Sequence, residues 1–381
     1  MIRATPWWRS VAALLTVTMA VGCVGCTSTG RDDQSTSASP GPVASTVSFD
    51  DQIARSDTLL SQTLPSDGPG CSAAAAVDGR VVWADARGLA DVGAGTALTT
   101  DTLFDIGSVS QQFTATAILL LVQEGRLALD DPLSAHVPGL PAWADQVTVA
   151  NLLHHTSGIR DVVGILQSRG FTQDMPVTTQ DALDAMATIK ELRFKPGTVW
   201  EYSHSNYLLL GEIVHTISGQ ELPAFLQERV FGPLDLAMTL GPQPSDQPAT
   251  GYTTLFGDLK PSNTAWVIFG PGSIVTTPSE LVRWADNYRQ AQVGGPDLLA
   301  AVTAGATPVS SAADASRYGA GILEATDGSL EHDGGIWGQR GYFAVAPDRH
   351  TAIAVDCNRD DDEALIEQLA TGLRAAWFGS L

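Results

Sequence analysis

Two kinds of apolar run alternate along this chain. Short runs bounded by turn residues lie toward both ends of its body, and longer apolar runs lie between them. Cys71–Val77 and Arg80–Trp83 flank Asp78-Gly79, a pair that tolerates the positive φ angles of a tight hairpin, so two antiparallel strands are predicted. Gly341–Ala346 and Thr351–Val355, joined by Pro-Asp-Arg-His, predict a meander near the other end. The run from Thr114, TATAILLLVQ, has the length and bulk of a buried helix. Further helices are expected after Ser48, with early acids Asp50 and Asp51 and apolar Ile53, Leu59, Leu60 and Leu64, and across Leu208–Val214. Thr277-Pro278 with Glu280 reads as a capping box, and a last helix should run from about Asp362 to Trp377.

Strands at both ends with helices between them predict an α+β domain: one antiparallel β-sheet assembled from distant segments and flanked by helices. That arrangement gives two cysteines a meaning. Cys71 opens the first strand and Cys357 closes the last, so adjacent antiparallel strands would place them opposite each other as a disulfide. The alternative is two separate buried thiols. A bridge closing so long a loop contributes on the order of 4 kcal/mol in the chain-entropy account.

Composition narrows the class. A chain of 381 residues that is 44% hydrophobic can build a large core. Its formal charge of −21 excludes a nucleic-acid backbone as a natural partner. The N-terminus carries Arg3 and Arg9 before an apolar stretch, Val11–Val21, that is far short of the roughly 20 residues a membrane span needs. Residues 1–22 therefore read as a signal peptide. The stretch ends in AVGCVGC, similar to a bacterial lipoprotein box, with Cys23 or Cys26 as the lipidated residue. Residues 23–47, rich in Ser, Thr, Pro and Gly, read as a disordered tether, and residues 48–381 as the folded domain. The expected location is the outer face of a bacterial cell membrane, held by a lipid anchor.

The candidate chemistry gathers on Phe104–Glu124. Gly107-Ser108 delivers a hydroxyl to the start of the apolar helix, where Ser108 or Ser110 would supply the N-cap. A serine there sits in a positive local field, which suits a nucleophile and a developing oxyanion equally. The pair His154-His155 suggests a metal, but no second ligand cluster accompanies it, so a structural role is expected. No cofactor is implied.

Several stretches together carry a resemblance. FDIGSVSQQFTATAILLLVQEGRLALDDPL, VTVANLLHHTSGI, KPGTVWEYSHSNYLLLGEIV, FGPLDLAMT, FGPGSIVTTPSELVRW and HDGGIWGQRG resemble, in order, the serine β-lactamase-like, penicillin-recognising hydrolases: class C β-lactamases, DD-peptidases and esterase relatives. The resemblance implies an all-helical subdomain beside the sheet, with the site between the two. It also implies three motifs. Ser-x-x-Lys places an amine one turn after the nucleophile, Tyr-x-Asn relays and orients, and Lys/His-x-Gly lines the oxyanion strand. Here Ser108 is followed by Gln111 at the lysine position, and Tyr202 by His204 at the asparagine position. His332, Gly334 and Trp337 fall in the substrate-binding strand region, and the N–H groups of Ser108 and Gly335 would form the oxyanion hole. Glutamine neither takes a proton nor carries charge at ordinary pH. Two outcomes follow. Either the site no longer runs lactamase or peptidase chemistry and serves as a module for a small acyl or peptidoglycan-derived ligand or an envelope protein partner, or His204, directly or through Tyr202, replaces the lost base in an esterase-like enzyme. In a third arrangement Trp337 fills the groove over Ser108 and closes it.

Overall fold

The computed structural model describes residues 48–241, 247–309 and 315–379. The expected signal peptide, the lipidation cysteines Cys23 and Cys26, and the tether lie outside the described residues. From Phe49 onward the chain forms one compact unit.

The first helix, α1 (Phe49–Thr63), carries Asp50 and Asp51 in its first turn, where they oppose the positive end of the helix dipole. It leads into β1 (Cys71–Val77) and β2 (Arg80–Arg87), joined by Asp78 and Gly79, both at positive φ as the hairpin reading requires. The remaining strands of the main sheet come from the far end of the chain: β3 (Thr307–Pro308), β4 (Arg317–Tyr318), β5 (Leu323–Glu324), β6 (Leu330–Ile336), β7 (Gln339–Val345) and β8 (Thr351–Cys357). Their spatial order is β3-β4-β5-β6-β7-β8-β1-β2, antiparallel throughout. The two ends of the body therefore meet at the β8–β1 ladder, where Cys71 pairs with Cys357 and the two are joined as a disulfide.

Side chains explain the layering. Four of the seven residues of β1 are alanine, and the strand is buried through Ala76. The last helix, α5 (Glu363–Trp377), packs with α1 against the sheet. Its N-cap is Asp362, whose carboxylate accepts from Leu365 N–H. A short helix, α4 (Pro278–Trp284), also packs on β1, β2 and β8. Thr277 caps α4 by accepting from Glu280 N–H, but the reciprocal half of the expected capping box is absent. Glu280 instead accepts from Ala237 N–H and pairs with Arg283.

Between the strand-forming ends lies the helical part. Its centre is α2 (Gln111–Gln123), in which every residue from Gln111 to Leu121 is buried. An apolar surface all round a helix requires neighbours all round it. Here α3 (His204–Ser218) and other helical segments supply them. Among the described residues, no helix is long and apolar enough to cross a membrane.

Candidate active site

A tight 3-10 turn, Gly107–Ser110, precedes α2, and its place is fixed by glycines on both sides of a contact with β6. A Cβ on Gly107, which has φ of 52°, would lie 2.8 Å from Gly335 N; one on Gly334 would lie 2.1 Å from Ile106 O. Only bare backbone admits this approach. β5 covers β6 only at Leu330 and Glu331, which leaves the edge from His332 onward to face the turn. Gly335 backbone therefore lies against Gly107, one residue from Ser108.

Neither serine caps the helix with its side chain, contrary to the capping expectation. Ser110 Oγ accepts from Ile274 N–H at 3.2 Å and ties the turn to a neighbouring strand, Ile274–Thr276. Ser108 Oγ accepts from Tyr202 OH at 2.7 Å. Ser108, Tyr202 and His204 keep part of their surface exposed.

Behind them is a buried hydrogen-bond chain whose direction can be assigned from one unambiguous donor. Ser203 N–H points to His155 Nδ1 at 3.3 Å, with Asn206 Nδ2 at 2.8 Å from the same atom. Nδ1 is therefore an acceptor, and the ring proton sits on Nε2. Nε2 donates to Gln111 Oε1 at 3.1 Å, and Tyr318 OH also reaches Oε1 at 2.8 Å. With its oxygen so held, Gln111 turns its Nε2 to donate to Tyr202 OH. Tyr202 has one proton and gives it to Ser108. His332 joins from β6, with Nε2 2.9 Å from Tyr318 OH and Nδ1 2.6 Å from Asp333 O.

The electrostatics match a neutral interior. Burial pushes the His155 pKa well below the ordinary histidine value and lowers that of His332. Burial likewise raises the Tyr202 phenol above its usual range, so phenolate is disfavoured. His204 behaves oppositely. Burial alone would lower its pKa, but the carboxylate of Asp161, 2.8 Å from His204 Nδ1, outweighs that and raises it. Asp161 is itself held down at about 2, burial being overcome by His204 and by N–H donors from His204 and Val163. On the strand side, burial raises Asp105, whose carboxylate accepts from Gly107 N–H, to about 6. It raises Asp356 to about 8, with the Asp105 charge adding to the effect.

The structure thus brings together Ser108, Gln111, Tyr202, His332, Gly334 and Gly335. It does not form the expected Ser108–His204 pair: Ser108 bonds to Tyr202, and His204 turns Nδ1 to Asp161, leaving Nε2 without a protein partner among the described residues. Ser108 keeps part of its surface exposed, and Trp337 has an aromatic partner of its own. Its ring packs edge to face on Trp266, with centroids 5.0 Å apart. His154 donates to or accepts from no ligand set; its Nδ1 lies 3.3 Å from Tyr318 O. Among the described residues no cluster of three or more His, Cys, Asp or Glu is placed to hold a metal. Residues that sequence reasoning missed are Asp161, Asn206 and Tyr318, brought in from separate segments with no local signal. His155 was noticed as half of a pair but not as the group that orients Gln111.

Comparison with known proteins identifies the family to which this geometry belongs. A family model described as Beta-lactamase matches residues 60–376. The chain belongs to the beta-lactamase family. Penicillin-binding protein 4 of Amycolatopsis lactamdurans is 32% identical over 319 residues, covering 76% of this chain and 81% of that protein. A D-aminopeptidase of Brucella anthropi is 30% identical over 223 residues, covering 57% of this chain and 42% of that protein, so this chain spans less than half of it. Among solved structures, the octameric penicillin-binding protein homologue from Pyrococcus abyssi superposes with a TM-score of 0.73 at 25% identity, covering 84% of this chain and 77% of that one. Serine β-lactamase-like fold and serine-hydrolase ancestry are thus established for this chain.

Proposed function

We propose that this family member binds its ligand without running the hydrolytic cycle, acting as a ligand- or partner-binding module at the cell envelope. The observation that carries this reading is the polarity of the buried chain. Attack by Ser108 requires a group that takes the hydroxyl proton. Every member of the chain behind Ser108 instead donates toward it: His155 to Gln111, Gln111 to Tyr202, and Tyr202 to Ser108. Gln111 cannot accept a proton, and the Tyr202 phenol is held protonated. Loss of one member of such a cooperative unit commonly removes about four to six orders of magnitude of turnover.

Export through residues 1–22 and lipidation at Cys23 or Cys26 belong to the same proposal, and they rest on the sequence pattern. A small acyl or peptidoglycan-derived ligand fits relatives that carry the names penicillin-binding protein and D-aminopeptidase.

The test is turnover of a short-chain aryl ester. Wild type and Ser108→Ala are expected to hydrolyse it equally, at background rate. Gln111→Lys with His204→Asn would re-create the family pattern, and at least about a hundredfold gain in ester turnover is expected there, with labelling by a fluorescent penicillin. Ser108-dependent turnover in the wild type would overturn the reading.

One observation favours a second reading, a rewired esterase. Asp161 fixes His204 in the tautomer that leaves Nε2 open, as a catalytic histidine requires. That reading needs His204 to swing toward Ser108 or Tyr202. It predicts Ser108-dependent turnover that vanishes in His204→Ala.

A further inference from the structure

The buried chain has a junction with more acceptors than protons. Tyr318, on β4, has one hydroxyl proton and two neighbours placed to take it: Gln111 Oε1 at 2.8 Å and His332 Nε2 at 2.9 Å. His332 Nδ1 lies 2.6 Å from Asp333 O, and a carbonyl has no proton to give, so Nδ1 carries one. A neutral His332 ring therefore has a bare Nε2. Whichever neighbour receives the Tyr318 proton, lone pairs face each other across the other contact. An imidazole nitrogen is far more basic than an amide oxygen, so the proton goes to His332 and Gln111 Oε1 is the atom left facing an acceptor. Tyr207, a neighbouring phenol, sends its own proton to Leu153 O and brings none to the junction.

One added proton completes it. With Nε2 protonated as well, His332 donates to Tyr318, and the hydroxyl rotates to Gln111 Oε1 without breaking any bond of its own. Gln111 Oε1 then accepts from Tyr318 and from His155 Nε2 together. An amide whose oxygen takes a second donor becomes a stronger donor at its nitrogen. That nitrogen donates to Tyr202, and Tyr202 donates to Ser108.

The surroundings decide when the proton arrives. Burial works against a charge on His332, while the Asp333 carboxylate and carbonyl work for it; burial prevails, so the proton is taken up below the ordinary histidine value of 6.5. Glu331, the other neighbour on β6, is bound to Tyr342 and Arg374. β7 places Phe343 opposite His332, and the turn Gly107–Ser110 brings no acid or base. Across Gln111 stand His155 and Tyr202, both neutral.

We infer that His332 is a positioning residue for Ser108: protonation of its ring turns the Tyr318 hydroxyl from His332 to Gln111 and tightens the hydrogen bonds that run through Gln111 and Tyr202 to the serine. The site thereby gains a response to mild acid that the serine, the tyrosine and the glutamine could not supply themselves. This goes beyond the non-hydrolytic reading and does not depend on it.

The test is a nitrogen-15 NMR titration of the protein from about pH 8 to about pH 4, following the ring nitrogens of His332 and the side-chain amide of Gln111. His332 Nδ1 should stay protonated throughout while Nε2 gains its proton, and the Gln111 amide should shift with the same midpoint. Tyr202 hydroxyl exchange should slow severalfold on acidification. Tyr318→Phe keeps the ring and removes the hydroxyl. In that variant the His332 midpoint should fall by about half a pH unit or more, and neither Gln111 nor Tyr202 should follow it. Four results would sink the assignment: a His332 ring that stays neutral to about pH 4, a neutral ring whose proton sits on Nε2, a Gln111 amide that ignores the His332 titration, or one that follows it equally in Tyr318→Phe. Ester turnover has no part in these readouts, so their failure leaves the non-hydrolytic reading standing, and Ser108-dependent turnover leaves the His332 assignment standing.

Discussion

The strand side and the helix side of this site have fared differently. On the strand side the site is built from backbone: the β6 edge at Gly335 and the close contact of Gly334 and Gly107 with the turn and strand that face them. On the helix side the site is built from side chains, and two of these, Gln111 and His204, differ from the motifs that the resemblance implies. Yet the two altered side chains are themselves hydrogen-bonded. Gln111 bonds to Tyr202, His155 and Tyr318, and His204 bonds to Asp161. A backbone device survives substitution of its neighbours as long as the packing that places it survives. A side-chain relay changes its chemistry with a single replacement, even when the replacement is fully hydrogen-bonded.

The largest test of that contrast is Gly334→Ala. Its Cβ would lie 2.1 Å from Ile106 O, a clash with backbone that no rotamer relieves. A loss of about 3 kcal/mol is expected in denaturant unfolding, together with loss of ligand binding. An unchanged unfolding midpoint would show that the strand side is not the rigid partner described here.

Next comes His155→Leu on the helix side, which should cost about 2 kcal/mol. It removes the acceptor for Ser203 N–H and Asn206 and the donor to Gln111 Oε1, all of them buried. Its sharper readout is the tyrosine–serine bond. Once Gln111 is released, the hydroxyl exchange of Tyr202, followed by NMR, should quicken. No change would mean that Gln111 is oriented by Tyr318 alone.

A third prediction concerns pH and the strand side. Asp356 is buried, one of its oxygens has no hydrogen-bond partner among the described residues, and burial raises its pKa from 3.8 to about 8. Between those values the folded state keeps a proton that the unfolded state has lost. Stability must therefore fall as pH rises from about 4 to about 8, by up to about 1.4 kcal/mol per pH unit. Asp356→Asn should flatten that slope in unfolding midpoints measured across the range. Asp105 acts in the same direction up to about pH 6.

The smallest effect belongs to the His204–Asp161 pair, each side chain 32% exposed. Asp161 titrates at about 2 when folded, so its contribution is present above about pH 4 and lost as pH falls toward 2. His204 is raised, so its contribution is complete below its ordinary value and lost as pH climbs past the folded one. Asp161→Asn should cost about 1 kcal/mol or less between those limits and lower the His204 pKa seen by NMR. An unmoved His204 would mean that Asp161 does not hold its charge.

Much of the architecture was legible in the residues. Asp78-Gly79 between apolar runs announced the β1–β2 hairpin, and the Thr114 run announced a buried helix, because turn dihedrals and side-chain period are local properties. The helix begins three residues earlier, at Gln111, with Ser110 at its N-cap position but making no side-chain capping bond. The replacements at Gln111 and His204 were equally visible in the sequence. What they do was not.

The sequence alone pointed to the family and the α+β class, and it put Cys71 and Cys357 forward as disulfide partners and Gln111 at the position where the resemblance implies a lysine. Tertiary structure alone decided that His155 orients Gln111, that Asp161 claims His204, that Trp337 leans on Trp266, and that protons along the buried chain point toward Ser108. The physical reason is range. Propensity and motif spacing act within a few residues, whereas the direction of a hydrogen-bond chain depends on every donor and acceptor it reaches. Here those lie on segments as far apart as Gln111 and Tyr318. Phe104–Glu124 therefore names the fold by itself, but the chemistry of its serine belongs to the whole molecule.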